Sequence, residues 1–80
     1  NKMYSLREVF INPEHVVMIR EEKRMKELNE NGKVASGLNP THQFSKLTIN
    51  RGQAGTEIVV VGSPEIVENT LNSNKQLLRG

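Results

Sequence analysis

Residues 44 to 72, FSKLTINRGQAGTEIVVVGSPEIVENTLN, constrain this chain more than any other stretch, because several agreeing local signals follow one another and read as a hairpin, then a helix. Phe44 to Asn50 alternates, with Leu47 and Ile49 on one face and Lys46, Thr48 and Asn50 on the other, the period-two pattern of a half-buried strand. Arg51-Gly-Gln-Ala-Gly55 turns the chain, its glycines able to supply the positive φ angles of a short loop. Thr56 to Val61 is a second and more apolar strand, and Gly62 ends it. Ser63-Pro64-Glu65 then starts a helix: a hydroxyl for the free amides, a proline where no N–H is needed, and an acid in the positively polarised first turn.

The chain of 80 residues is one domain, and a domain of this size buries only about 60 % of its unfolded surface, so its core needs a supplement. With no cysteine and only His15 and His42 as imidazoles, neither disulfides nor a zinc staple provide it, which leaves oligomerisation. The absence of cysteine fits a reducing compartment, and no apolar run approaches the ~18 residues of a membrane span, so a cytoplasmic protein without membrane attachment is expected. Eleven basic against nine acidic side chains give a net charge of only +2, and three aromatics offer few platforms for stacking bases, so charge alone neither supports nor excludes a nucleic-acid partner.

Before the hairpin, residues 3 to 11 carry β-branched and aromatic side chains and read as a first strand, although Glu8 shares a parity with Tyr4, Leu6 and Phe10, which points to an edge position or a bulge. Asn12-Pro13-Glu14 reverses the chain. His15 to Glu22 reads as a second strand, apolar on both faces between Val16 and Ile19. Glu21 to Gly32 has two readings. Strong helix formers with Met25 and Leu28 in register give a short helix; Asn31-Gly32 as a tight turn gives a long hairpin arm. Helix or mobile arm is the favoured reading, and residues 23 to 42 as a whole form a flexible arm and loop, with Gly32 to His42 short of periodic apolar residues. Past Ser63, residues Ile66, Val67, Thr70 and Leu71 make one apolar helical face, secure to about Asn72 and able to continue through Leu78.

Candidate chemistry is sparse. A lone His15 at the mouth of a turn is more often an exposed or singly bonded residue than a general base, and His42 has no acid or nucleophile near it in sequence. Glu21, Glu22, Glu27 and Glu30 are interspersed with Lys23, Arg24 and Lys26, a self-neutralising solvated face and not a metal site. The Arg51 to Gly55 loop lacks the Gly-Lys-Ser/Thr and following helix of a phosphate-binding loop. No catalytic residue, metal or cofactor is expected. A basic surface remains as an alternative: Arg20, Lys23, Arg24, Lys26 and Lys33 joined by Lys46 and Arg51, if the arm lies along the hairpin.

The succession Phe10-Ile-Asn12, His15-Val-Val-Met-Ile-Arg20, Lys46-Leu-Thr-Ile49, Glu57-Ile-Val-Val-Val61 and Ser63-Pro-Glu-Ile-Val67 resembles the small FlbD/SwrD type of bacterial flagellar and swarming proteins. These have an apolar-Asn entry, a short hairpin and a similar helix start; the stretch between Arg20 and Gln43 is longer here than their hairpin connection. The resemblance implies no catalytic residues. It implies a compact accessory or regulatory protein of a bacterium or bacteriophage that binds another protein.

The expected fold is therefore α+β: a four-stranded, mainly antiparallel meander, strands near 3–11, 15–22, 43–50 and 56–62, with the helix from Pro64 across one face. That helix covers Val17, Ile19, Leu47, Ile49, Ile58 and Val60, leaving Val16, Met18, Val59 and Val61 on the opposite face for self-association as a dimer or higher oligomer.

Overall fold

In the computed structural model, which describes residues 4–34, 38–52 and 55–79 and side chains as far as residue 73, the elements run β1 (Val16–Glu21), α1 (Lys23–Glu30), β2 (Phe44–Asn50), β3 (Gly55–Val61) and α2 (Pro64–Arg79). A short 3-10 turn, Pro13–His15, precedes β1. The sheet is an antiparallel meander in the order β1-β2-β3, with β2 central. The hairpin expected from the sequence is thus present, and Leu47 of β2 stands between Ile19 and Ile58 of its two neighbours, fully buried.

Local chemistry explains the ends of the elements. Asn12 accepts the Glu14 N–H on its side-chain oxygen at 2.9 Å, and this with Pro13 at the first helical position makes the turn a 3-10 helix. Glu22 caps α1 in the same manner, accepting from the Arg24 N–H at 3.3 Å. At the other end of α1, Gly32 takes φ +72°, the Lys33 N–H donates to Leu28 and the Gly32 N–H to Asn29. That pair of bonds is a Schellman closure, and it decides between the two readings of the stretch from Glu21 to Gly32 in favour of a helix, Lys23–Glu30: Asn31-Gly32 ends α1 and does not turn a hairpin. Ser63 caps α2, its hydroxyl accepting the Ile66 N–H at 3.3 Å, and Pro64 opens the helix as expected. The helix extends past Asn72 to Arg79.

Two expectations are overturned. Residues 4 to 12 do not form a strand: Tyr4 makes an isolated parallel bridge to Val34, and the rest of the segment is irregular, so the sheet has three strands and not four. The parity conflict at Glu8 is the reason, since either face presented to a core would bring a charge with it. Residue 3 lies outside the described residues. The second correction concerns β1. Val16 pairs with Ile49 but Met18 pairs with Thr48, so the register slips at Val17, which is 61 % exposed. Val16 therefore joins Ile19 on the side of α2, beside Leu71, and Val17 does not. A strand apolar on both parities does not pin its own register, and the slip exchanges the two valines.

The loop between α1 and β2 is tied down where it is described. Val34 is buried, and the Asn39 carbonyl accepts from the Asn29 side chain at 2.9 Å and from the His42 N–H at 3.1 Å. The expected flexible stretch thus has fixed ends at Lys33–Val34 and Asn39–His42; residues 35–37 lie outside the described residues.

Between β3 and α2, Gly62 adopts φ +124°, and a Cβ there would stand 3.2 Å from Cγ2 of Val67. The buried Ser45 hydroxyl donates to the Gly62 carbonyl at 2.7 Å, fixing the same corner from β2. Gly62→Ala forces an L side chain into a backbone region it avoids and against a core valine, so it should cost about 1–3 kcal/mol. Thermal unfolding checks this: a midpoint several degrees lower is expected, and an unchanged midpoint contradicts the corner.

Candidate functional site

Each face of the sheet has its own covering. On the side of Leu47, Val16, Ile19 and Val60 lie beside α2, joined from the N-terminal segment by Val9 and Ile11, and Ile49 and Ile58 share that face by register. On the opposite side the sheet divides by rows. Phe44, 2 % exposed, pairs with Val61 and is covered by Met25 of α1, by Val34 and by Tyr4. The next row is Arg20, Lys46 and Val59, and the one after it Met18, Thr48 and Glu57.

Those two rows hold an ion-pair lattice. Arg20 reaches Glu57 at 3.2 Å, and Lys46 reaches Glu22 at 3.1 Å and Glu57 at 4.0 Å. Of the residues assigned to self-association, Met18, Val59 and Val61 do lie on the face opposite α2, but Arg20, Lys46, Thr48 and Glu57 are set among them, and Val16 is on the other side. The face is mixed and not a continuous apolar patch. A charged lattice over the centre of a sheet keeps water there, which removes the argument that a second copy must cover it.

The hydrogen bond from Lys46 holds the Glu22 carboxyl below the ordinary carboxylate range, against the opposing effect of burial and with help from the Arg24 N–H. A depressed folded value means that the stabilisation is complete above the unfolded glutamate value of about 4.3 and is lost as pH falls through the folded one. Glu22→Gln should therefore lower the unfolding midpoint near neutral pH by more than it does at pH 3. An identical difference at both pH values would show that the pair contributes nothing through its charge.

The seven basic side chains of the alternative reading do not form one patch. Arg20 and Lys46 are neutralised in the lattice, and Lys26 pairs with Glu30 at 2.8 Å one turn along α1. Lys23, Arg24 and Lys33 are exposed around α1, while Arg51 is exposed at the hairpin tip, the opposite end of β2. A strand of this length spans about 20 Å, so Arg51 and α1 cannot grip one phosphate pair together. The same distance separates His15, at the hairpin end of β1, from His42, just before β2, and among the described residues no group of three His, Cys, Asp or Glu side chains gathers to hold a metal. His42 bonds locally, its Nδ1 3.1 Å from the Asn39 carbonyl.

What the sequence did not locate is a flank. The N-terminal segment crosses the outer edge of β3, from Tyr4 and Leu6 beside Phe44 and Val59 to Val9 and Ile11 beneath α2. Between residues 5–9 and Ile58–Val61 it leaves a groove of about 580 Å³. No backbone hydrogen bond joins the segment to β3 among the described residues. Tyr4, Leu6, Val9 and Val59 are exposed along this flank, and Phe10 is 96 % exposed beside it.

The phase of the sheet tells which backbone groups the edge of β3 offers. The Glu22 N–H donates to the Phe44 carbonyl, so Phe44 points toward β1, and the Gly62 N–H donates to the Gln43 carbonyl, so Gln43 points toward β3. Alternation then gives Thr56, Ile58 and Val60 to the β2 ladder and turns the N–H and C=O groups of Glu57, Val59 and Val61 outward. The only sequence signal for this was the run Ile58 to Val61, whose phase no periodicity fixes.

No protein-family model, no curated protein and no solved structure matches this chain. No helix among the described residues is long and apolar enough to cross a membrane.

Proposed function

We propose that this chain is a small non-enzymatic interaction protein of the accessory or regulatory kind, and that it meets its protein partners through the flank made by the N-terminal segment and β3. The observation that carries this reading is the concentration of exposed apolar side chains there, Tyr4, Leu6, Val9, Phe10 and Val59, around a strand edge whose backbone groups point outward. Exposed apolar surface beside unpaired strand groups is how extended segments are recognised, main-chain bonds giving affinity and flanking pockets giving selectivity. Elsewhere Val17, Met18 and Ile66 are exposed at separate places, and many of the charged side chains pair with one another, as Arg20, Lys26 and Lys46 illustrate.

Affinity capture with three baits separates this reading from a nucleic-acid module. Wild type and a Lys23→Glu/Arg24→Glu variant should retain the same protein partner, and Phe10→Asp should lose it while keeping its unfolding midpoint, because Phe10 makes almost no packing in the free chain. Retention by Phe10→Asp would move the contact off the flank. Micromolar binding of random duplex that collapses with salt and disappears in the α1 variant would instead support the basic surface.

A further inference from the structure

The two edges of the sheet are treated differently. The outer edge of β1 is interrupted by the slip at Val17 and carries Arg20 and Glu21, devices that discourage pairing with another strand. The outer edge of β3 has no slip, and its one charged residue is Glu57 near its start. From Ile58 to Val61 it is unbroken, uncharged and without proline, and nothing in the chain hydrogen-bonds to its outward groups among the described residues. An edge of that kind is a template for a further strand.

Resting on the interaction reading above, we propose that the strand added there is β3 of a second copy, paired antiparallel about a twofold axis through Val59. The positions of the outward groups select this register. With Val59 opposite Val59 of the second copy, Glu57 faces Val61 and Val61 faces Glu57, so the outward residues from Glu57 to Val61 meet one another and their N–H and C=O groups find partners, with Gly55 at the start of the strand left over. A shift of two residues toward the N-terminus centres the pair on Glu57 and sets two like charges directly opposite, which is unfavourable. A shift the other way centres it on Val61, beyond which Gly62 at φ +124° leaves the strand conformation. The central register also sets Ile58 against Val60 on the α2 side, an apolar pair from each copy, and keeps both Glu57 side chains beside valine, each still within reach of its own Arg20 and Lys46.

To admit the strand the N-terminal segment swings off the edge of β3, which breaks no backbone hydrogen bond to β3 among the described residues. A pair of strands alone is marginal in water, and the exposed Leu6, Val9 and Phe10 of both copies supply the apolar surface that borders the new junction. The product is a six-stranded sheet with one α2 per half. This places self-association at the edge of β3 instead of on the face where the ion-pair lattice lies.

Because the chain has no cysteine, single introduced thiols report the register. Light scattering should give about twice the 9.0 kDa chain mass at tens of micromolar, and Val59→Cys should form a disulfide-linked dimer under mild oxidation. Residues facing themselves across the axis lie about 5.5 Å apart at Cα, within disulfide reach; Glu57→Cys and Val61→Cys each sit about 14 Å from their own copy and should stay free. N-methylation of Val59 in synthetic protein removes one outward donor on the axis without touching the β2 ladder, and should weaken dimerisation at least tenfold with the unfolding midpoint of the monomer unchanged. A monomer at every concentration overturns the proposal, as does equal cross-linking at 57, 59 and 61. If that monomer still loses a captured partner on Phe10→Asp, the edge takes a strand of a different protein and the interaction reading survives.

Discussion

Phe44→Ala should destabilise the protein by about 3–5 kcal/mol, the largest loss expected of any single truncation here. Phe44 is 2 % exposed and is the residue on which one side of the sheet meets Met25 of α1, the buried Val34 and Tyr4. Truncation removes the transfer free energy of the ring and leaves a void among groups on three separate segments, which cannot collapse onto it together. Domains hold about 0.05–0.15 kcal/mol per residue, so the change takes roughly a quarter or more of all the stability this chain has. Chemical denaturation should show it as a lower midpoint. Circular dichroism before the transition should also fall, because α1, eight residues long, is too short to persist without this contact. A loss below about 1 kcal/mol would mean that α1 does not dock on Phe44.

Leu47→Ala should cost about 3 kcal/mol through the other layer. Leu47 has no exposure at all and lies between Ile19 and Ile58, under Val67 of α2. The leucine side chain is smaller than the Phe44 ring, so less transfer free energy is lost and the void is smaller, which is why the expected loss is the smaller of the two. The thermal midpoint should fall by more than 10 °C for a domain of this size. An effect within 1 kcal/mol of wild type would contradict the burial of Leu47 at the centre of the sheet.

The residues that were legible in the sequence are those whose local preferences agree with one another. Leu47 and Ile49 alternate cleanly with Lys46 and Thr48, and Ser63-Pro64 is read by any helix start, so β2, β3 and the beginning of α2 lie within a residue or two of expectation. Asn31-Gly32 suited two structures equally, and only the packing that brings Lys33 back to Leu28 distinguishes a helix end from a hairpin turn. The N-terminal segment has strand composition without strand parity, and composition prevailed in the expectation where parity prevailed in the fold. Val16 and Val17 changed places because a strand apolar on both sides leaves its register to its partner.

The candidate site was less legible still, for a physical reason. Glu22 meets Lys46, and Arg20 meets Glu57, only when three strands are in register, so the lattice that breaks up the second face exists at no local sequence spacing. The outward groups of β3 follow from the bond between Glu22 and Phe44, a contact between segments with α1 folded between them. Val59 and Val61 were singled out for self-association because they are apolar; their place at a strand edge needed the pairing.

The central claim is that the edge of β3 is open in the single chain and is where partners join. Amide hydrogen exchange measured residue by residue tests it most directly. In dilute protein the N–H groups of Thr56, Ile58 and Val60, bonded to β2, should exchange slowly, and those of Glu57, Val59 and Val61 at least tenfold faster; raising the concentration should slow the second set and leave the first unchanged. If Glu57, Val59 and Val61 are as protected as their neighbours at the lowest concentration, the N-terminal segment already occupies the edge as a fourth strand, and the account is wrong.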